Sequence, residues 1–178
     1  MLIDRDPTVT EVLSAFTDFS MIPPGVLEKA AARGTEVHSL CYGIAKGMWL
    51  PSIPPDCAGF VLSFQDFFNK YVKKTIFAEG ELVDKIFGFL GHPDLIVEFY
   101  DGANVLIDLK TPLNLQKTWK GQMAAYKHLA EQNGFKIDRV GSLRLSPKGN
   151  PPKFDQYTNS AIDLTAFLAA LSAYKHYK

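Results

Sequence analysis

The residues of this 178-residue chain best suited to chemistry fall in one stretch, Gly91-His-Pro-Asp-Leu-Ile-Val-Glu-Phe-Tyr-Asp-Gly-Ala-Asn-Val-Leu-Ile-Asp-Leu-Lys-Thr111. Asp94, Asp108 and Lys110 interrupt two runs that otherwise alternate like strands. Parity tests how the runs pair. A two-residue turn at Asp101-Gly102 pairs Tyr100 with Ala103 and sets Leu95 opposite Asp108, which mixes the faces. A three-residue loop, Tyr100-Asp101-Gly102 with Gly102 in the left-handed position, pairs Phe99 with Ala103, Val97 with Val105 and Leu95 with Ile107. Apolar then meets apolar. Asp94 faces Asp108 in that register, and Lys110 points to the same side because side chains alternate along a strand.

Two like charges opposed on a sheet destabilise it and invite a cation. Oxygen ligands suit Mg²⁺ or Mn²⁺, and an ammonium beside them can hold an attacking water or stabilise charge developing on phosphorus. That combination is phosphodiester chemistry. An exposed face carrying a weak surface ion cluster fits the spacing alone equally well.

The elements that must position these groups follow from pattern. Asp6-Pro7 opens a short helix to about Phe19, and Pro23-Pro24-Gly25 breaks the chain. A second helix over 24–46 carries Arg33 and His38 and ends at Gly47. An irregular, proline-rich stretch over 47–56 precedes a third helix with Phe60, Phe64, Phe67, Phe68 and Tyr71 on one side, a core stripe rather than a base-stacking platform. Strands over 75–86, 88–99 and 103–110 form a meander. A fourth helix over 115–132, strands near 138–146 and 153–157, and a helix over 163–174 complete the chain. The order predicts an α/β fold, a central mixed β-sheet flanked by α-helices.

Length predicts one domain over 1–178, with a helical part over 1–74, sheet and helix over 75–146, and a last strand and helix over 147–178. Apolar residues at 47% and charged residues at 21% are ordinary globular values. The absence of a long apolar run and of a leader-like N-terminus predicts a cytoplasmic protein with no membrane contact. Cys41 and Cys57 are expected to stay reduced, and without four cysteines no iron–sulfur cluster is expected. The net charge of zero conceals two unlike halves: residues 1–109 hold 8 Lys and Arg against 15 Asp and Glu, residues 110–178 hold 11 against 4. Such asymmetry suits cation gathering by one half and polyanion binding by the other.

Gly91-x-x-Asp94, then Ile107-Asp108-Leu109-Lys110-Thr111, then Gln122-Met-Ala-Ala-Tyr126 resembles the PD-(D/E)XK nuclease superfamily, in its RecB-like, phage-exonuclease branch. Upstream, Arg33-Gly34-Thr35-Glu36-Val37-His38 resembles the helix that supplies a histidine metal ligand in that branch. The likeness spans 33–126 in four separated pieces.

The resemblance implies a restriction-endonuclease-like core and assigns roles. Asp94, Asp108, the backbone carbonyl of Leu109 and His38 would ligate one or two Mg²⁺ or Mn²⁺ ions, and Lys110 would position the nucleophilic water. Gln122 and Tyr126, four apart on one helical face, would reach a DNA phosphate or the Lys110 side of the site. Glu79, on the preceding strand, is a candidate for a supporting or extra metal group. His92 competes as a ligand, but Pro93 disturbs the strand there. Lys117, Lys120 and Lys127, then Arg139, Arg144, Lys148 and Lys153, are the candidate DNA cations. Trp119 is a candidate for stacking on a base, against a packing role.

The implied activity is metal-dependent DNA hydrolysis, as an exonuclease in recombination, repair or phage DNA processing in a bacterial cytoplasm. A recombination or single-strand-annealing protein is the implied partner, while oligomeric state is unreadable. A junction-resolving or restriction-type endonuclease and a non-catalytic DNA-binding module are the competing expectations.

Overall fold

The computed structural model describes residues 5–18, 20–50, 52–112 and 114–178. Its elements run α1 (Val9–Ser14), α2 (Pro24–Ala45), α3 (Pro55–Tyr71), β1 (Val72–Ala78), β2 (Leu82–Asp84), β3 (Phe89–Gly91), β4 (Leu95–Phe99), β5 (Asn104–Lys110), α4 (Thr118–Gln132), β6 (Arg139–Arg144), β7 (Lys153–Gln156) and α5 (Ser160–Tyr177).

Local chemistry sets the helix starts. Thr8, not Asp6, caps α1: its hydroxyl accepts the Glu11 N–H at 3.1 Å and the Glu11 carboxylate accepts the Thr8 N–H at 2.8 Å, a reciprocal capping box. The helix ends at Ser14, and Phe19, expected as its end, lies outside the described residues, as do Met1 to Asp4 of the leader argument. Proline occupies the first position of both α2 and α3, where its missing N–H leaves no helical bond unmade. Gly47, at φ +66°, ends α2 in the left-handed conformation that glycine adopts freely.

The central sheet is mixed, in the order β1-β4-β5-β6-β7. β4 and β5 are antiparallel with Leu95 opposite Ile107 and Val97 opposite Val105. The Phe99 N–H donates to the Ala103 carbonyl at 2.9 Å, and Gly102 has φ +86°, so the loop is the three-residue one. β5 and β6 are parallel, joined by the α4 crossover.

One expectation fails. The two strands predicted over 75–86 and 88–99 are each broken, and β2 and β3 pair as a separate two-stranded ribbon. The breaks have local causes. Glu79 adopts φ +47° and turns the chain out of the sheet, and Pro93, lacking an N–H, cannot continue a ladder from β3 into β4.

Helices cover both faces. Leu95, Val97, Val105, Ile107 and Leu109 pack with the buried α2 and α3 residues Val37, Phe60 and Phe64, while Ile96, Leu106 and Val140 pack with Met123 and Leu129 of α4 and Phe167 of α5. Burial on both faces accounts for the nearly unbroken apolar run of β5. Each such side chain contributes about 1.5–3 kcal/mol when fully buried. Cys41 and Cys57 are free and buried, and no helix among the described residues is long and apolar enough to cross a membrane.

The site is positioned by a mismatch in strand length. β4 begins at Leu95, opposite Ile107, whereas β5 runs on to Lys110. Asp108, Leu109 and Lys110 therefore border a notch at the sheet's end, and Asp94 enters it.

Candidate active site

Asp94 closes the notch. Its Oδ2 accepts the Leu109 N–H at 2.7 Å, its Oδ1 lies 3.1 Å from His38 Nδ1, and its own carbonyl accepts the Glu79 N–H at 3.0 Å. The N–H and C=O of one strand residue point to the same side, so the Leu109 carbonyl also faces the notch, past the end of β4. The expected face-to-face carboxylates are thus partly relieved, because Asp94 turns into the sheet plane and takes a backbone hydrogen bond.

On the α4 face, Asp108 is buried at 4% exposure. Lys110 Nζ lies 2.6 Å from Asp108 Oδ2 and donates to Gln122 Oε1 at 2.9 Å. Gln122 Nε2 donates to Asp108 Oδ1 at 3.3 Å and to the Tyr126 hydroxyl at 3.2 Å. Asp108 Oδ2 nevertheless makes no hydrogen bond of acceptable direction, so it has an ionic neighbour and an unused acceptor. Tyr126 packs on Gly91, where a Cβ would meet its ring at 2.8 Å, which gives the glycine of Gly91-x-x-Asp94 a steric reason.

Electrostatics separate the groups. Burial, with help from the Asp94 charge, pushes the Asp108 carboxyl above its ordinary value against the pull of Lys110. Burial disfavours the imidazolium of His38, yet the charges of Asp94 and Asp108 together outweigh it and raise the group above an ordinary histidine. Burial also pushes the Tyr126 phenol up, so it stays protonated at neutral pH.

His38, Tyr42, Glu79, Asp94, Leu95 and Leu109 line a cavity of about 60 Å³, room for about one or two water molecules. Among the described residues no three His, Cys, Asp or Glu side chains converge as a ready metal cage. The donor set still fits a hard divalent ion: two carboxylates, a strand-end carbonyl and an imidazole around one notch, with one carboxylate oxygen unused. Taking an ion requires Lys110 to withdraw from Asp108.

The other residues singled out in the sequence lie as follows. Glu79 borders the cavity, whereas His92 projects away, about half exposed and 3.5 Å from Glu81. Trp119 is packed at 4% exposure, with the Lys110 ammonium 5.1 Å from its ring centre, a geometry that suits packing rather than base stacking. Lys117 is exposed at the start of α4, Lys120 lies 3.8 Å from Asp163, and Lys127 lies 3.7 Å from Glu131. Arg139 pairs with Asp101, Arg144 and Lys153 with Asp155, and Lys148 is exposed. Tyr42 was not singled out, although it stands four residues after His38 and so shares its helix face. A second cavity, about 320 Å³, runs between α1 and α4 and opens on Lys110 and Gln122.

No family model and no curated protein matches the sequence. A solved structure, the alkaline exonuclease LHK-Exo of Laribacter hongkongensis, is similar over 97% of this chain and 90% of that one, at 16% identity and a TM-score of 0.45. Likeness at that level fixes nothing about this chain's chemistry.

Proposed function

We propose that this chain is a metal-dependent deoxyribonuclease of the PD-(D/E)XK kind, acting as one unit over residues 1–178. One observation supports the reading: at the free end of β4, His38 Nδ1 and the Leu109 N–H hold the Asp94 carboxylate, and on the neighbouring strand Lys110 and Gln122 hold the buried carboxylate of Asp108.

Asp94, Asp108, the Leu109 carbonyl and His38 would hold Mg²⁺ or Mn²⁺, with Glu79 at the cavity edge as a further oxygen donor. The bound ion would supply Lewis acidity toward the phosphate and acidify its water. The protein's own part is positioning. Asp94 is fixed by the Leu109 N–H, so its carboxylate is aimed before any substrate arrives. Gln122 tethers Lys110, holding the ammonium where an attacking water and a phosphate oxygen would meet. Tyr126 closes the inner side of that cluster, while the cavity between α1 and α4, lined in part by Trp119, leaves Lys110 and Gln122 open on the other.

Within this class we favour an exonuclease, on the resemblance of the His38 helix and the Gln122/Tyr126 pair to end-processing members. A time course on end-labelled linear and closed circular DNA, single- and double-stranded, with Mg²⁺, Mn²⁺ or EDTA, tests this. Loss of linear DNA with either metal and none in EDTA, with circles spared, is the expected result. Cut circles turn the reading to an endonuclease, and intact DNA under every condition, with binding retained, turns it to a DNA-binding module.

A further inference from the structure

The chain has four arginines, and three are satisfied. Arg5 lies 2.6 Å from Glu11, Arg139 2.5 Å from Asp101, and Arg144 meets Asp155 through two contacts of 2.5 and 3.3 Å. Arg33 differs. Among the described residues no carboxylate pairs with it, although Glu36 and Asp56 share with it the surroundings of Cys57. Its Nε is buried and without a hydrogen-bond partner. Among the described residues the one other buried side-chain atom in that condition is Asp108 Oδ2, in the notch itself.

The guanidinium has a defined seat. Its carbon lies 5.6 Å from the centre of the Phe60 ring, so α3 supports it from one side. A Cβ on neighbouring Gly34 would meet Thr111 Oγ1 at 3.6 Å, which places this turn of α2 against the residue that follows Lys110. The loop bearing exposed Lys148 packs on α3 at Gly59, next to Phe60, where a Cβ would come within 1.9 Å of the Pro147 carbonyl. Arg33 thus stands beside the carboxyl ends of β5 and β6 on the α2 face, and Lys110 reaches toward α4 on the other.

We propose that Arg33 binds a phosphate of the DNA strand next to the bond being cut, a role that rests on the nuclease reading above. A guanidinium offers a planar fork matched to two phosphate oxygens, and that of Arg33, on a side chain only partly buried, carries a charge that no carboxylate among the described residues pairs with. Three carboxylates hold the other arginines, and this one is kept for a partner that arrives with the substrate. The phosphate is an internal diester or the strand's terminal phosphate, which share this chemistry.

The test uses Lys110→Ala protein, so that DNA is bound without being cut, with Arg33 or with Arg33→Met, which keeps the apolar stem over Phe60. Oligonucleotides carry a single neutral methylphosphonate stepped along the strand, and each end is either phosphorylated or a free hydroxyl. With Arg33 present, one position weakens binding about tenfold. Arg33→Met weakens binding of unmodified DNA by about the same factor, erases the effect at that position, and lowers the log–log salt slope on single strands by about 0.7. Arg33→Lys restores part of the affinity. Sensitivity at an end phosphate or at an interior one identifies which kind is held. A melting curve of each variant, with Arg33→Gln as a second replacement, separates lost binding from lost folding. Unchanged affinity, or an unchanged position effect without the guanidinium, overturns this proposal while wild-type cleavage leaves the nuclease reading intact. If the chain neither binds nor cuts DNA, both fall.

Discussion

Two clusters in this molecule set an aspartate against a histidine, Asp84 against His128 and Asp94 against His38, and the first is closed while the second opens on a cavity and adds the buried carboxylate of Asp108. Asp84, 2% exposed, accepts the N–H of Ile86 at 2.6 Å and of Phe87 at 2.9 Å, and lies 2.5 Å from His128 Nε2. Burial alone would raise its pKa, but the Phe87 N–H, His128 and the Ile86 N–H together hold it below the ordinary carboxylate range. At the notch, Asp108 is comparably buried, takes its contacts from two side chains, Lys110 at 2.6 Å and Gln122 at 3.3 Å, and is shifted upward by burial. A carboxylate whose acceptors are filled by its own protein pins structure, here the β2–β3 ribbon to α4. One held by the side chains of a lysine and a glutamine is, on the nuclease reading, able to exchange the ammonium for an external cation.

The comparison can be broken from either side, and the largest expected effect is at the open cluster. Lys110→Ala should lower cleavage by about 10²–10⁴-fold while leaving the chain folded, measured as single-turnover rates beside melting curves. Asp84→Ala should do the reverse, losing about 3–5 kcal/mol in denaturant unfolding because it strands His128 and two backbone donors, with cleavage per folded molecule unchanged. Acid titration sharpens the contrast. A carboxyl depressed in the folded state gives stability that is present above its unfolded value, near 3.8, and is lost as pH falls through its folded value. Unfolding free energy should therefore drop below about pH 4, and Asp84→Asn should lack that share of the drop. The smallest effect concerns Glu79, whose left-handed φ of +47° stores about 1–3 kcal/mol of strain. Glu79→Gly should raise stability by about 1 kcal/mol after the added freedom of the unfolded chain, and slow cleavage. A gain in stability with full activity would mark the strain as a turn's requirement and not the site's.

Much of this was legible in the residues. The three-residue loop and the β4–β5 register followed from parity alone, because Leu95, Val97 and Phe99 find apolar partners in one register and not in the other. The helix expected over 24–46 begins at Pro24, whereas α3 begins at Pro55, inside the stretch over 47–56 that was expected to be irregular. The break at Glu79 was not legible, since Leu82 and Val83 continue an alternating pattern and pair with Leu90 and Gly91 rather than with the main sheet. The same limit hid the closed cluster: nothing near His128 in sequence indicates that Asp84 waits 44 residues away. Arg33 was visible as a charge on a helix, but that no carboxylate among the described residues pairs with it is a property of the fold around it. The spacing of Asp94, Asp108 and Lys110 could not say whether they lay on an open surface, and burial of Asp108 argues for a built site.

The most direct measurement compares the wild type, Lys110→Ala and Asp84→Asn in cleavage of one labelled linear DNA, with Mn²⁺ or EDTA, each rate divided by the folded fraction. A nuclease site at Asp108 and Lys110 predicts Mn²⁺-dependent cleavage by the wild type and Asp84→Asn at matching rates, and almost none by Lys110→Ala. Equal rates for the wild type and Lys110→Ala, or undiminished cleavage in EDTA, would contradict it.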